Sequence, residues 1–194
     1  MILASGSPRR KMLLKKLGIE FEVVVSNIEE VLDPALKSTQ QALNIAMQKA
    51  KNVSFRASDS IIIAADTTVV IGDLVLGKPK DSEDAIKMLE MLSGKMHSVI
   101  TGFVILDKKS EKIISKSLKN KVWFRKLDKF EIENYIDQFH PFDKAGAYGI
   151  QDVKDIFVEK FEGDYSSVLG LPVHEVANEL KKLGVNISKI KDPI

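Results

Sequence analysis

One aspartate lies within the most apolar segment of the chain. The run from Ile61 to Val70 is almost entirely β-branched or small and apolar, and Asp66 is its only charged member. Burying a carboxylate without a partner is costly, so Asp66 must be paired, hydrated or placed at a cleft. One interpretation is that the strand ends at Ala65 and Asp66 caps a turn. The other is that Asp66 ends a central strand at the ligand edge of the sheet, where it could bind a divalent ion or take a proton from water.

A short turn near the N-terminus is a candidate anion site. Its sequence, Ser5-Gly6-Ser7-Pro8-Arg9-Arg10, combines small residues with two arginines. The N–H groups at a helix start attract phosphate, and a guanidinium can bind two phosphate oxygens. The same pattern is also typical of an ordinary helix start with solvated arginines, so both interpretations stay open. The turn is not a P-loop, because the G-x-x-x-x-G-K-[ST] spacing is absent from the chain.

Several other polar residues are informative only as a group. Lys49 falls on the core-facing side of a predicted helix, where its stem could lie on apolar surface with the ammonium in water. Lys78 in its Gly-Lys-Pro turn and the pair Glu29-Glu30 would usually be solvated. Together, such carboxylates and cations match a site for a metal ion and a polyphosphate. Gln151, in a glycine-containing segment, is an amide that could read a base edge.

The scaffold that must position these residues alternates strands and helices. Apolar patterns predict strands over residues 2–4, 21–25, 61–70, 74–76, 97–106, 113–124 and 156–161, with Gly72-Asp73 as a two-residue hairpin turn. Helices are predicted over 8–17, 39–53, 82–92, 127–136 and 172–183. Ser38 and Gln41 are expected to form the capping box of the second helix. The fold class is therefore α/β, with a central mixed sheet flanked by helices.

Composition limits the classes of function. A chain of 194 residues that is 44% hydrophobic fits a single domain, residues 1–194. With no Cys, there is neither a disulfide, a thiolate metal site nor a cysteine nucleophile. The net charge of +2 without a block of like charge argues against a stable nucleic-acid or membrane surface. Neither a signal peptide nor a membrane-spanning run is found, so we expect a cytoplasmic protein.

Taken in order, these motifs resemble the Maf family of nucleotide pyrophosphatases over nearly the whole chain. The matching segments are Ser5 to Arg10 (S-x-S-P-R-R), Ala65 to Thr67 (A-D-T), Gly77 to Pro79 (G-K-P), Leu92 to Thr101 (L-S-G-x-x-H-x-V-x-T), Asp143 to Gln151 (D-K-A-G-A-Y-G-I-Q) and Gly170 to Pro172. The unbroken A-G-A-Y-G-I-Q run favours the dTTP/UTP pyrophosphatase subfamily. One departure is Asp152, because family members commonly have Gly after that Gln, and this substitution bears on base preference.

The resemblance implies an elongated α/β fold with a cleft between two lobes, related to that of inosine triphosphate pyrophosphatases. It implies a divalent metal, Mg²⁺ or Mn²⁺, and hydrolysis of a nucleoside triphosphate substrate to the monophosphate and pyrophosphate. Asp66 would be the catalytic base and, with Glu30, a metal ligand. The remaining implied site residues are Arg9, Thr67 and Gln151 for base preference, Lys49 and Lys78 in the same active site, and Arg10 and Ser7 near the phosphates.

Two other functions also fit the sequence. One is a house-cleaning pyrophosphatase for inosine or xanthosine triphosphate, and another is a non-catalytic nucleotide-binding regulator of division. For the enzyme itself, the cellular role would be cleansing of the nucleotide pool, including modified pyrimidine nucleotides, or arrest of cell division. A homodimer is one candidate assembly, by analogy alone.

Overall fold

The computed structural model describes residues 1–58 and 60–187. Within these residues the strands are β1 Ile2–Leu3, β2 Glu22–Val23, β3 Ile61–Ile71, β4 Leu74–Leu76, β5 Met96–Asp107, β6 Lys112–Phe124 and β7 Val158–Glu162. They form one sheet in the order β2-β1-β3-β5-β6-β7, with β4 paired to β3. β1 runs parallel to β2 and β3, whereas β3 with β4 and β6 with β7 are antiparallel. The predicted mixed sheet with β3 at its centre is therefore confirmed.

Helices flank this sheet, which confirms the predicted α/β class. They are α1 Pro8–Lys15, α2 Ser38–Ser54, α3 Ser82–Leu92, α4 Lys129–Phe139, α5 Ile150–Val153, α6 Tyr165–Val168 and α7 Val173–Lys182, with two 3-10 turns at Pro141–Asp143 and Ala145–Ala147. No helix in the described part of the chain has the length and apolar character needed to cross a membrane. The pattern missed α5 and α6 because four residues are too few for a helical period to show.

The β3–β4 hairpin forms as predicted. Ile71 pairs with Leu74, so Gly72 and Asp73 alone make the turn. α3 also has the predicted bounds, and Asp81 caps it by accepting a hydrogen bond from the Asp84 N–H at 2.8 Å. The elements with the strongest apolar pattern are thus the ones whose limits the sequence predicts best.

The predicted capping box of α2 is wrong. The helix begins at Ser38 itself, and the N–H of Lys37 donates to Oε1 of Gln40 at 3.1 Å. Gln41 instead binds the preceding loop, because its Oε1 accepts from the Asp33 N–H and its Nε2 donates to the carbonyls of Asp33 and Leu36. Gln41 is buried, and its amide supplies hydrogen-bond partners to backbone groups of this loop.

By its internal contacts the chain divides into two compact units. The first unit comprises Met1–Asp66, Thr101–Leu118 and the described residues from Asp164 onward. Its core packs the inner face of α2 onto strand residues, and the buried members are Ile2, Ala4, Ala46, Ala50, Val53, Ile62, Ala64 and Val104. Small alanines on α2 allow the helix to lie close to the sheet.

The second unit comprises Thr67–Ile100 and Lys119–Gly163. Here α3 packs against α4. Aromatic rings fill much of the interior at centroid separations of 4.9 to 5.8 Å, and they belong to His97, Phe124, Tyr135, Tyr148 and Phe157. Edge-to-face contacts of this kind stabilise the interior beyond the area that they bury.

Gly102 in β5 lies close to the backbone of α2. A Cβ atom at residue 102 would lie 2.5 Å from Cα and N of Leu43, both of which are backbone atoms that cannot rotate away. Gly102→Ala is therefore expected to lower the free energy of unfolding by about 3 kcal/mol, because α2 must shift away from the sheet. Urea denaturation measures the loss. Gly77→Ala is the matched control, since among the described residues the added methyl would meet no atom within 4 Å beyond the adjoining residues of the chain. Equal stability of the two variants would contradict the close packing.

Candidate active site

Asp66 lies inside β3 rather than at its end. The strand continues through five further residues to Ile71, so both the turn-capping interpretation and the strand-end placement are wrong. The sequence favoured a strand end at this residue because an unpaired carboxylate is not expected inside a buried strand. In the structure a partner compensates for the burial of Asp66. The side chain is 9% exposed and accepts a hydrogen bond from Lys49 Nζ at 2.7 Å.

Lys49 lies between two carboxylates. Its Nζ is 2.7 Å from Oδ1 of Asp66 and 2.8 Å from Oε1 of Glu30. The lysine side chain is only 7% exposed, so the snorkelling interpretation is wrong and the ammonium remains inside. Glu30 is 36% exposed, and this side of the cluster therefore reaches solvent. One buried cation thus brings together two carboxylates from β3 and from the loop before α2.

The electrostatics of the cluster suit a carboxylate that exchanges protons. Burial raises the pKa of Asp66 above its ordinary value, while the positive charges of Lys49 and Arg10 act in the opposite direction. A carboxylate with a raised pKa is a stronger base than one in water. The ammonium of Lys49 favours the ionised form that can accept a proton.

The Ser5 to Arg10 turn is hydrogen-bonded to the C-terminal part of the first unit. Ser7 caps α1 with its hydroxyl toward the Arg10 N–H, at 3.5 Å. The Arg10 side chain donates from Nε to the Gly170 carbonyl at 2.9 Å and from Nη1 to Ser5 Oγ at 3.3 Å. These bonds fix the guanidinium, so Arg10 is a positioned cation rather than a solvated one. Arg9 is half-buried at the second position of α1.

Arg10 belongs to the electrostatic environment of Asp66. Burial lowers the pKa of Arg10, whereas the negative charges of Asp66 and Glu30 oppose this shift. A guanidinium remains charged under all such conditions. The first unit therefore combines two carboxylates with two cations, Lys49 and Arg10, beside a helix N-terminus. A nearly neutral cluster of this kind can accept a metal–phosphate complex without a large excess of either charge.

The donor chemistry of Asp66 and Glu30 fits the divalent metal that the family resemblance implies. Both supply hard carboxylate oxygens, which Mg²⁺ and Mn²⁺ prefer. Across residues 1–58 and 60–187, no three His, Cys, Asp or Glu side chains are grouped to hold a metal ion. Two carboxylates plus substrate phosphates is the usual arrangement for magnesium in phosphoryl chemistry, and it does not need a third protein ligand.

Three of the expected site residues belong to the second unit. Thr67 follows Asp66 in β3, Lys78 is exposed in the turn after β4, and Gln151 is exposed in α5. The turn that carries Lys78 is joined to the glycine-containing segment before α5, because the Gly146 N–H donates to the Gly77 carbonyl at 2.9 Å. Two motifs that are far apart in the sequence therefore meet within this unit.

Aromatic residues support the segment that ends in Gln151. Tyr148 and His97 share a hydrogen bond of 2.7 Å, and Tyr135 Oη accepts from the Gly149 N–H at 3.2 Å. Burial lowers the pKa of His97 to about 4 and raises the pKa of Tyr148, so both are neutral at physiological pH. His97 is therefore a buried structural residue of this unit. The sequence did not predict the role of Tyr135 in supporting this segment, because its place on an apolar helix face indicated only a core residue.

The structure thus brings together Glu30, Lys49 and Asp66, with Arg10 in the same electrostatic environment. Ser7 contributes through the helix cap that leads to Arg10. Sequence reasoning missed Ser5 Oγ as the second acceptor for Arg10 and the carbonyl of Gly170 as the first. The available signal for the Gly170 carbonyl was the Gly170-Leu171-Pro172 segment, which is one of the matches to the family.

Comparison with known proteins identifies the family of the chain. A model of the Maf-like protein family matches residues 1–183. The chain is 48% identical over 182 residues to a dTTP/UTP pyrophosphatase of Alkaliphilus oremlandii, covering 93% of this chain and 94% of the relative. It is 44% identical over 193 residues to one of Caldicellulosiruptor saccharolyticus, covering 97% of each, and 46% identical over 183 residues to one of Thermoanaerobacter sp., covering 94% and 95%. The chain therefore belongs to the Maf family.

Proposed function

We propose that this protein is a nucleoside triphosphate pyrophosphatase that hydrolyses dTTP and UTP to the monophosphate and pyrophosphate. The observation that carries the proposal is the buried Asp66, paired with Lys49 and influenced by Arg10. A proton acceptor next to positioned cations is what hydrolysis of a phosphoanhydride needs. Relatives named dTTP/UTP pyrophosphatase, 44% to 48% identical, support the substrate class.

In this proposal Asp66 is the general base. A carboxylate oxygen of Asp66 takes a proton from water while the water oxygen attacks the α phosphorus. The bond from the α phosphorus to the α–β bridging oxygen breaks, and its electron pair leaves with pyrophosphate. Lys49 keeps Asp66 ionised before the proton transfer, and Arg10 offsets negative charge on the phosphates.

We assign the metal ligands to Asp66 and Glu30, and the ion to Mg²⁺ or Mn²⁺. When bound, such an ion would neutralise phosphate charge and lower the pKa of water. The support for this assignment is the all-oxygen chemistry of the two carboxylates. Removal of divalent ions by EDTA is expected to abolish turnover, and readdition of each ion alone would identify the one preferred.

The remaining residues are assigned to the nucleotide. Ser7, Arg10, Lys49 and Lys78 are proposed for the phosphate end, where charge and N–H groups matter. Arg9, Thr67 and Gln151 are proposed for the base end, as the family resemblance implies. We further propose that residues 1–194 act as one domain in the cytoplasm, with a role in cleansing the nucleotide pool or in arresting cell division.

A panel of nucleotides tests the proposed function directly. Purified protein with Mg²⁺ or Mn²⁺ is expected to release pyrophosphate from dTTP and UTP faster than from CTP, GTP, ITP or XTP. Preference for ITP or XTP would instead favour the inosine triphosphate type of enzyme. Absence of turnover from every nucleotide by folded protein, with nucleotide still bound, would favour a non-catalytic regulator.

A further inference from the structure

The Gln151 side chain has a carboxylate neighbour. Its Nε2 donates a hydrogen bond to Oδ2 of Asp152 at 3.0 Å. Both side chains lie against the backbone of Gly149, because a Cβ at residue 149 would be 2.4 Å from Gln151 Nε2 and 2.5 Å from Asp152 Oδ2. Gly149 is in turn held by Tyr135. The paired side chains therefore lie on a fixed segment of backbone.

The chemistry of this pair determines which way the amide faces. An ionised Asp is only an acceptor, whereas an amide has an NH₂ group at one end and a carbonyl oxygen at the other. Only the NH₂ end can bond to Asp152, and the flipped amide would direct Oε1 at the carboxylate. The contact thus holds Nε2 of Gln151 near Asp152 and turns Oε1 away from it. The second N–H of Nε2 remains available to donate to a base.

A fixed amide distinguishes uracil and thymine from cytosine. At positions 4 and 3, uracil and thymine present an acceptor and then a donor, whereas cytosine presents a donor and then an acceptor. An amide bonds to either base, but in opposite orientations. An amide that flips freely accepts both, and an amide held in one orientation favours one of them.

We propose that Asp152 is a positioning residue that sets base specificity, by holding the Gln151 amide in the orientation that suits uracil and thymine. This inference rests on the proposed function, in which Gln151 contacts the base. In this proposal Asp152 acts through Gln151 and has no direct role at the phosphates or the attacking water. Its removal is therefore expected to change the choice between pyrimidine bases more than the rate with the best substrate.

The test compares kcat/KM for UTP and CTP, and for dTTP and dCTP, in three proteins. They are the parent, Asp152→Asn and Asp155→Asn. An asparagine at residue 152 can accept from Nε2 or donate to Oε1, so it permits the flipped amide while keeping the size of the side chain. Asp155→Asn removes the same charge from an exposed residue just after α5 and is the matched control.

We expect Asp152→Asn to lower the UTP/CTP and dTTP/dCTP ratios by about tenfold, the effect of one lost discriminating hydrogen bond. Asp155→Asn is expected to keep the parent ratios. Ratios within about twofold of the parent in Asp152→Asn would overturn the positioning role. A parent protein that hydrolyses no nucleotide would instead refute the proposed function, so the two failures are distinguishable. A merely structural role would lower all four values of kcat/KM together and leave the ratios unchanged.

Discussion

Asp66→Asn is expected to lower the rate of pyrophosphate release from dTTP or UTP by about a thousandfold. The amide keeps the size of the carboxylate but cannot take a proton from water. Lys49 retains Glu30 as its ion-pair partner in this variant, so the cluster keeps part of its charge compensation. A continuous assay of pyrophosphate at saturating nucleotide and metal measures the effect.

The control for Asp66→Asn is Asp73→Asn. Asp73 is exposed in the β3–β4 hairpin turn, and its substitution removes the same charge next to the same strand. Thermal unfolding of both variants shows whether the fold is intact. Parent-like hydrolysis by Asp66→Asn would mean that Asp66 is neither the general base nor an essential metal ligand.

Lys49→Met is expected to shift the acidic limb of the pH–rate profile to higher pH. Burial already raises the pKa of Asp66, and Lys49 is the strongest of the charges that oppose this shift. Without the ammonium the pKa of Asp66 rises further, and a larger fraction of the base is protonated at any given pH. The rate therefore falls most at low pH and recovers as the pH is raised.

The same substitution affects stability with a defined sign. Removal of one partner of a buried ion pair is expected to lower the free energy of unfolding by about 3 kcal/mol. Because the pKa of Asp66 is raised in the folded protein, the folded state holds this proton more tightly than the unfolded state. Since Lys49→Met raises this folded-state pKa above that of the parent, the stability deficit grows as pH rises through the pKa of Asp66 in the folded parent, until Asp66 ionises in the folded variant too.

Two further variants make the Lys49 result specific. Lys49→Arg keeps a cation in the cluster and is expected to keep the acidic limb close to that of the parent. Lys51→Met removes an exposed charge from the same helix and is expected to leave the profile unchanged. A pH–rate profile of Lys49→Met that coincides with that of the parent would show that Lys49 does not control the ionisation of Asp66.

The fold was predictable where one local pattern decides the outcome. The β3–β4 hairpin and α3 follow from apolar runs, a two-residue turn and a helix cap, each of which acts over a few residues. The start of α2 was not predictable in this way. The Gln41 side chain could either cap the helix or bond to the preceding loop. In the structure it bonds to the loop backbone at Asp33 and Leu36.

The sequence predicted which residues belong to the candidate site better than it predicted how they contact one another. Asp66 stood out because a carboxylate in an apolar run requires compensation. The ion pairs that join Lys49 to Asp66 and Glu30 depend on the path of the loop before α2. That loop has no periodic sequence pattern, so its path could not be predicted. The family match marked the segment from Gly170 to Pro172 but not the role of its first carbonyl, because every residue has a carbonyl and only the folded chain shows which one meets Arg10.

The bond from Arg10 to Gly170 has a consequence for protein synthesis. It joins positions 160 residues apart, so the N-terminal turn emerges from the ribosome long before its acceptor carbonyl exists. Contacts at such separation form late and slowly during folding. A nascent chain that stops short of Gly170 carries the Arg10 turn, Lys49 and Asp66 but lacks this anchor. Premature termination before Gly170 would therefore release fragments that contain the proposed site residues without the anchored arginine.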